Sequence, residues 1–452
     1  MLRPGPFVLC LNQLFPDYES AAPPNYGILR ARTIMRILPV LLFLLVVAAC
    51  PAFAQTSVNP VTTRAQQLIF TGEDSLQSGF NDSRTVLSGY GSAYFHRDFN
   101  FKKNRASLER VVLFVGHQFN RKWSVFTEME LENAVVAGLE DKGEISMEQA
   151  YIRYNINPRQ YLVAGLFLPR IGIINENHLP VNFNGVERPL VEQYVIPSTW
   201  RELGIGWYGT FNKVQLSAGL LNGLNAATFQ HGTGFMEGRA EGSFATVNNI
   251  AVTAAAVYNA YPVRVQVSGY AGGTNGLAPR ASDSLKLNSG AFGLPLYLGE
   301  ADVQYAQNGL SAKALGVIVR YPDAGKVNTA FGENNATEMF GAYGEVGYDL
   351  LYNHAQRTSG TAQLIAFARF EYMDLNAAIP EPPHAIYDGT LAQSNLIAGL
   401  NFMPIPNLTF KADVRILNTG DQNKDLLINP SPNALPYQPH NTFFNVGIGY
   451  SF

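Results

Sequence analysis

Charged side chains are spaced along the chain in two ways that could carry chemistry. Three carboxylates occupy alternate positions, Glu128, Glu130 and Glu132, so an extended strand would present them on one face. Farther along, in a stretch without alternation, charges of both signs gather: Arg170, Glu176, His178, Glu187 and Arg188. Carboxylates and cations held close together can transfer protons in catalysis, or attract and sort ions in a water-filled passage.

Catalysis is the weaker of these two interpretations. The histidines are scattered along the chain: His96, His117, His178, His231, His354, His384 and His440. The sequence contains no nucleophile elbow, no HExxH motif and no acidic run with metal-ligand spacing. A catalytic triad could still be assembled in space, but no residue pattern points to one. We therefore predict no enzymatic activity, no cofactor and no metal site.

The segments that must position these charges alternate between apolar and polar residues. One face of the stretch 408–417 is apolar and the other is charged, with Phe410, Ala412, Val414 and Ile416 against Lys411, Asp413 and Arg415. Sixteen such stretches predict sixteen strands: 85–95, 106–119, 123–133, 146–157, 160–167, 201–211, 214–222, 247–258, 263–271, 297–306, 310–321, 338–350, 362–373, 392–403, 408–418 and 441–452.

The connections between these strands are short and long in turn. Seven are short and rich in Asn, Gly and Pro, as tight turns between antiparallel strands require, and eight are long. This succession puts both ends of the predicted sheet on the short-turn side. It indicates an all-β fold, a transmembrane antiparallel β-barrel of about sixteen strands. A soluble β-sandwich also alternates and is the alternative.

Strand length, mixed charge on the polar faces and the placement of aromatic residues favour the membrane barrel. Aromatic residues recur near strand ends, where membrane barrels carry interfacial girdles: Tyr94, Phe95, Phe119, Trp123, Tyr208, Tyr258, Tyr270, Tyr305, Tyr321, Tyr348 and Tyr372. We therefore expect the apolar face of the sheet to contact lipid.

The connection 168–200 is the longest, and it is the third of the long connections. It contains apolar side chains that a free surface loop would expose at a cost: Ile171, Ile173, Ile174, Leu179, Val181, Phe183, Leu190, Val191 and Ile196. We expect this third outer loop to fold into the lumen and pack against the wall. A solvated cap is the alternative.

The sequence before the strands has the layout of an exported protein. Residues 35–54 resemble a secretory signal peptide, with Arg36, an apolar stretch and Ala52-Phe53-Ala54 before Gln55. Residues 1–34 fit no targeting pattern and are interpreted as an extension upstream of the natural start. Lipidation of Cys50 is an alternative to ordinary cleavage. We expect a cleaved signal peptide, export through the inner membrane and residence in the outer membrane.

Two further predictions concern the chain after residue 54. Residues 55–84 would form an N-terminal periplasmic segment, in which Leu68-Ile69-Phe70 favour a short strand, and residues 85–452 would form the barrel. Residues 1–54 contain four Arg and two acidic residues, so the remainder carries 28 basic and 33 acidic residues and neither cysteine. This mild charge balance argues against a nucleic-acid partner.

The stretch 143–178, "GEISMEQAYIRYNINPRQYLVAGLFLPRIGIINENH", resembles the phosphate-selective porins and their relatives. In that family an acidic and aromatic strand like Met147–Ile152 is followed by a Gly-x-Phe-x-Pro turn, here Gly165-Leu166-Phe167-Leu168-Pro169, that leads into a long loop. The resemblance implies an outer-membrane channel for small solutes or ions, often trimeric. Phosphate selectivity in the family rests on clusters of Arg and Lys, and this chain has few lysines, so we do not expect phosphate specificity. A structural or adhesive barrel is the alternative.

For a channel, the charged residues fall into two groups. We predict a constriction formed in the third loop by Arg170, Glu176, His178, Glu187 and Arg188, and a pore wall that includes Arg110, Glu128, Glu130, Arg153, Arg369, Lys411 and Arg415. We expect Glu128 and Glu130 to oppose Arg170 and Arg188. Because both signs stand at close spacing, charge selectivity should be weak.

The last strand carries aromatic residues at alternate positions up to the final residue. Phe444, Tyr450 and Phe452 resemble the signal by which bacterial barrels are assembled, and a terminal Phe452 would have few packing partners. The expected partners are thus the barrel-assembly machinery, outer-membrane lipid and lipopolysaccharide, and small solutes or ions.

Overall fold

The computed structural model describes residues 60–70, 84–133, 144–358, 360–426 and 437–452. The predicted upstream extension, the signal peptide 35–54 and Cys50 lie outside the described residues. None of the helices in the described ranges combines the length and hydropathy of a membrane-spanning helix.

Sixteen antiparallel strands form one closed barrel, in which every strand pairs with its sequence neighbours and β1 pairs with β16. The strands are β1 (Arg84–Asp98), β2 (Lys103–Gln118), β3 (Trp123–Glu132), β4 (Glu144–Asn157), β5 (Gln160–Phe167), β6 (Glu202–Phe211), β7 (Val214–Asn222), β8 (Ile250–Ala260), β9 (Val263–Gly273), β10 (Pro295–Gln307), β11 (Leu310–Arg320), β12 (Glu338–Asp349), β13 (Gln363–Ala378), β14 (Ala392–Ile405), β15 (Leu408–Thr419) and β16 (His440–Ser451). The predicted fold class and strand number are confirmed.

The helices are short and are not part of the barrel wall. They are α1 (Arg64–Phe70), α2 (Val191–Tyr194), α3 (Pro279–Ser284), α4 (Ala324–Phe331) and α5 (Tyr352–Thr358), with single 3-10 turns at Pro180–Asn182, Ala226–Thr228, Met236–Gly238, Gly389–Leu391 and Lys424–Leu426. Helix α1 corrects the prediction of a strand at Leu68-Ile69-Phe70. A run of three apolar residues fits either element, because it is too short to show a period.

The barrel is apolar outside and polar inside. Outward side chains are well exposed, for example Ile205 at 57% and Val267 at 52%. Inward charged residues are buried, and the exposed fractions of Glu128 and Arg369 are only 0% and 2%. A water-soluble sandwich has the opposite distribution, and outer-membrane barrels have this one.

The barrel closes where β1 meets β16. The Gly89 amide donates to the Phe452 carbonyl at 3.0 Å, and the Phe452 amide donates to the Gly89 carbonyl at 2.9 Å. The ring of Phe452 lies over Gly89, and the ring of Tyr450 lies over Gly91. These two glycines leave room on the outer face for the aromatic rings, and the Phe452 side chain remains 53% exposed.

A bulge in β4 changes which side chains enter the lumen. Glu128 of β3 pairs with Gln149, while its neighbour Met129 pairs with Met147, so Glu148 has no partner in the register. Such an extra residue turns two consecutive side chains towards one face. Glu148 and Gln149 are both buried in the interior as a result.

Candidate pore constriction

The segment between β5 and β6, residues Leu168–Arg201, lies inside the barrel and is called the inner loop below. Its apolar side chains are buried among themselves and against the wall, with Ile171, Val195, Ile196 and Trp200 at 0% exposure. The expectation that this third loop folds into the lumen is therefore confirmed. Inside the barrel its apolar side chains are shielded from water.

The two ends of the inner loop are held together by polar side chains. Asn175 donates from Nδ2 to the carbonyls of Pro169 and Trp200, and its Oδ1 accepts from the Trp200 amide at 2.7 Å. Glu192 Oε2 accepts from the amides of Ile173 and Ile174 at 2.8 and 2.7 Å. These bonds tie residues 169–175 to residues 192–200 within the loop.

Glu192 also joins the loop to the wall. Its Oε1 accepts a hydrogen bond of 2.6 Å from the Tyr343 hydroxyl of β12. Burial disfavours the ionised carboxylate and raises the pKa of Glu192 to about 7, against the hydrogen bonds that favour ionisation.

The tip of the inner loop is bound by β12, β14 and β15. Lys411 Nζ donates to the carbonyls of Phe183 and Gly185 at 2.6 and 2.9 Å, and lies over the Phe183 ring. Asp413 accepts from the Val186 amide at 2.7 Å. Asn184 is held between Glu345 and Asn401. Lumen side chains thus satisfy the loop backbone that would otherwise be buried unpaired.

Two arginines of the wall are likewise bound to acids. Arg369 pairs with Glu345 at 3.3 Å and with Glu371 at 2.7 Å, and Arg415 pairs with Glu187 of the inner loop at 3.0 Å. Glu371 in turn accepts from the Val191 amide. The positive charges of this wall are therefore largely neutralised within the protein.

On the opposite wall, His178 of the inner loop meets β3 and β4. Its Nε2 lies 3.0 Å from Glu128 Oε1 and 3.5 Å from Glu148 Oε2, and its Nδ1 lies 3.0 Å from the Asn175 carbonyl. All three side chains are at most 1% exposed. Burial lowers the pKa of the His178 imidazole.

A polar cavity of about 370 Å³ lies on the long-loop side of the inner loop and is called the long-loop cavity. Its lining includes Glu109, Arg110, Glu132, Glu187 and Arg188. Arg110 pairs with Glu130 at 3.1 Å and with Glu109 at 3.2 Å. Among the described residues no carboxylate lies within 4 Å of the Arg188 guanidinium, so Arg188 brings an unpaired positive charge to this cavity.

A second cavity of about 210 Å³, the short-turn cavity, lies near the opposite opening. It is lined by Arg170 and Glu176, which pair at 2.5 Å, and by residues of the N-terminal segment. That segment enters the barrel: Val61 exchanges two hydrogen bonds with the side chain of Asn182, and Ala65 of α1 packs on Gly116. It narrows the opening on this side.

The predicted constriction residues all lie in the inner loop, but in three separate places. Arg170 and Glu176 face the short-turn cavity, His178 is buried at β3, and Glu187 and Arg188 face the long-loop cavity. The expected pairing of Arg170 with Glu128 or Glu130 is wrong, because Glu176 is its partner.

The predicted wall residues all point into the barrel: Arg110, Glu128, Glu130, Arg153, Arg369, Lys411 and Arg415. Arg153 lies over the Tyr161 ring at 3.6 Å. The site residues that alternation missed are Glu148 and Glu192. The bulge at Glu148 interrupts the alternation of its strand, and Glu192 lies in a loop that has no alternation. The available signal for Glu192 was its position in a loop with nine apolar residues that were expected to be buried.

Three comparisons with known proteins bear on this architecture. No protein-family model matches the chain. An uncharacterised protein of Aquifex aeolicus is 27% identical over 340 residues, which is 72% of this chain and 74% of that protein. OprB of Pseudomonas putida superposes with a TM-score of 0.50 at 11% identity, covering 88% of this chain and all of that structure. This likeness shows the fold, a closed sixteen-stranded barrel.

Two further structures overlap slightly less. The outer membrane channel DcaP of Acinetobacter baumannii gives a TM-score of 0.49 at 12% identity, covering 83% of this chain and 99% of that structure. The anion-selective porin from Comamonas acidovorans gives 0.48 at 10% identity, covering 82% of this chain and all of that structure.

Proposed function

We propose that the chain is an outer-membrane porin, a channel for passive diffusion of small hydrophilic solutes or ions. The observation that carries the proposal is the inside-out barrel, whose lumen holds an inner loop with a polar cavity on each side. An apolar exterior needs lipid, and a charged, hydrated interior gives solutes a path that lipid denies them.

The proposed passage is narrow and has weak charge preference. Most wall charges are paired, so opposite charges a few ångströms apart cancel beyond the ~8 Å Debye length of physiological salt. The constriction is formed by Glu187 and Arg188 on the long-loop side and by Arg170 and Glu176 on the short-turn side. His178 acts as an anchor of the loop. Phosphate specificity is not part of the proposal, since Lys411 and Arg369 are occupied by the protein itself.

Membership of the phosphate-selective porin superfamily is part of the proposal and rests on the segment around the Gly-x-Phe-x-Pro turn. Gly165, the first residue of that motif, lies in β5 with a φ of 134°, and a Cβ there would stand 2.3 Å from the Ala150 carbonyl oxygen. Glycine is thus required where β5 approaches β4. A homotrimer, as in that family, is likewise proposed.

Assembly and partners are proposed on the outer face of β16. Phe444, Tyr450 and Phe452 would be read by the barrel-assembly machinery, and the apolar band would contact outer-membrane lipid and lipopolysaccharide. Removing the Phe452 ring should lower insertion efficiency more than it lowers the stability of the folded barrel, because the side chain is 53% exposed and lies over Gly89, which has no side chain.

Liposome swelling tests the proposal. Purified protein refolded into liposomes should admit small uncharged sugars and exclude larger ones, because an inner loop narrows the lumen. Intact liposomes without swelling in any sugar would favour a structural or adhesive barrel, for which the dense packing of the inner loop and α1 inside the lumen is the supporting observation.

A further inference from the structure

We propose that Glu128, Glu148 and His178 form a binding site for one divalent transition-metal cation such as zinc, which ties the inner loop to the barrel wall. The sequence gives no metal motif, because the three ligands come from two strands and a loop. The proposal does not depend on the channel function.

The donor atoms have the spacing of a coordination sphere. One ligand atom from each side chain can be chosen so that all three lie within 4.8 Å of one another. His178 Nε2 is 3.0 Å from Glu128 Oε1 and 3.5 Å from Glu148 Oε2. Nitrogen and oxygen ligands at about 2.0–2.2 Å from zinc in a tetrahedron are separated by roughly 3.3–3.6 Å. The two separations measured from His178 Nε2 lie in or close to this range.

The histidine is oriented as a ligand. A carbonyl oxygen can only accept, so His178 Nδ1 must donate its proton to the Asn175 carbonyl at 3.0 Å. In the neutral ring Nε2 then presents a lone pair to two carboxylates. Metal-binding histidines are commonly fixed in this way through their second nitrogen. Three electron-pair donors facing one another in a buried site call for a cation between them.

A buried oxygen of Glu148 is the independent observation that points to a bound cation. Its Oε2 is buried and accepts no hydrogen bond from an amide, guanidinium or alcohol group of any described residue, while its Oε1 accepts one from Thr199 at 2.5 Å. The nearest guanidinium, that of Arg201, lies 3.9 Å from Oε1 and is engaged with Glu241 at 2.8 Å. A buried carboxylate oxygen without a donor is costly, and a metal ion would satisfy it.

The surroundings hold the ligands in place. Gln149 donates to Glu128 Oε2 at 2.5 Å, Thr199 fixes Glu148, and Asn175 fixes His178. Each ligand thus has an outer partner, as the outer shell of a metal site requires. The bulge at Glu148 brings both Glu148 and Gln149 into the interior.

A second histidine provides a matched control. His231 also has Nδ1 at a backbone carbonyl, that of Asn334 at 2.7 Å, and Nε2 at a carboxylate, that of Asp388 at 3.0 Å. It has one carboxylate where His178 has two, and its side chain is 28% exposed. His231→Ala therefore removes an imidazole from a similar pair without touching the proposed site.

The experiment measures zinc in the refolded full-length protein. Protein in detergent is incubated with zinc chloride, desalted and analysed by mass spectrometry for zinc per chain. We expect about one zinc per chain in the wild type and in His231→Ala. In Glu148→Gln and His178→Ala the zinc content per chain should be lower by roughly tenfold or more. X-ray absorption should show one nitrogen and three oxygens at about 2.0–2.2 Å, two of the oxygens from the carboxylates and one from a water in the fourth position.

Glu148→Gln keeps the shape of the side chain and decides the matter if His178→Ala does not refold. A wild-type content below about half a zinc per chain would overturn the proposal and leave a protonated imidazole between the two carboxylates. Equal zinc in the wild type and Glu148→Gln would overturn it as well, because the metal would then be bound elsewhere.

Discussion

Gly449 on the inner face of β16 lies against Pro180 of the inner loop, so closely that a Cβ on Gly449 would stand 2.4 Å from the Pro180 Cβ. Gly447, two residues before it, stands in the same relation to Val186. The last strand therefore alternates aromatic or aliphatic residues towards the outside with glycine towards the loop. The small residues of this strand are explained by the loop that packs on them.

Replacing Gly449 with alanine should destabilise the barrel. The added methyl group must displace Pro180, and overpacking of this kind costs about 1–3 kcal/mol in the free energy of unfolding. Gly316→Ala is the matched control, since a Cβ at Gly316 meets nothing within 4 Å. Urea unfolding in detergent should separate the two variants; equal midpoints would show that the loop is not held against β16.

Lys411→Met should loosen the tip of the inner loop. The change leaves the Phe183 and Gly185 carbonyls without their donor in a buried site, and we expect a loss of about 3 kcal/mol in stability. Lys213→Met, in an exposed turn, removes the same charge from the surface and should change stability by less than about 0.5 kcal/mol. Similar losses in both variants would contradict the anchoring role of Lys411.

Much of the fold could be predicted because its signals are local. Alternation in β15 and turn residues between strands fix the faces and the pairing without knowledge of distant parts. The position of the inner loop in the lumen could also be predicted, because exposing apolar side chains such as Ile171 and Ile174 to water is unfavourable. The pairing of Arg170 with Glu176 could not be predicted, because it depends on how the loop turns in space.

The bulge in β4 and helix α1 could not be predicted from the sequence for the same reason. Period-two alternation assigns Glu148 to one face only if no residue is inserted, and the inserted residue shows only in the register with β3. Leu68-Ile69-Phe70 are too few to distinguish helix from strand. Both features depend on contacts with another segment of the chain, Glu128 of β3 for the bulge and Gly116 of β2 for α1.

The pKa of Glu192 predicts a pH dependence of stability. A carboxyl with a folded-state pKa of about 7 and an ordinary value of 4.5 when unfolded keeps its proton longer in the folded state. Its contribution is therefore greatest below pH 4.5 and is lost as the pH rises to about 7, on the order of 3 kcal/mol in all.

Unfolding of the wild type and Glu192→Gln between pH 4 and 8 measures this contribution. The stability of the wild type relative to Glu192→Gln should fall from pH 4.5 to 7 and stay constant above it. A difference that is flat over this range, or that rises with pH, would show that Glu192 is ionised in the folded protein.

Arg188→Gln should shift the reversal potential in a salt gradient towards cations. Arg188 places an unpaired positive charge in the long-loop cavity, where the low-dielectric walls of a narrow passage focus its field on a passing ion. The control is the double variant Arg170→Gln and Glu176→Gln. It removes an ion pair with no net charge and should leave the reversal potential nearly unchanged. An unchanged potential in Arg188→Gln would place Arg188 outside the ion path.

The central claim, a channel narrowed by the inner loop, is tested most directly by single-channel recording in planar bilayers. The wild type is compared with a variant in which residues 182–188 are replaced by a short Gly-Ser linker, both first shown to be folded barrels. The account predicts stepwise conductance in the wild type and larger steps in the variant, because the loop tip no longer fills the lumen. A folded wild type without steps would contradict the channel, and equal steps in both proteins would contradict the constriction.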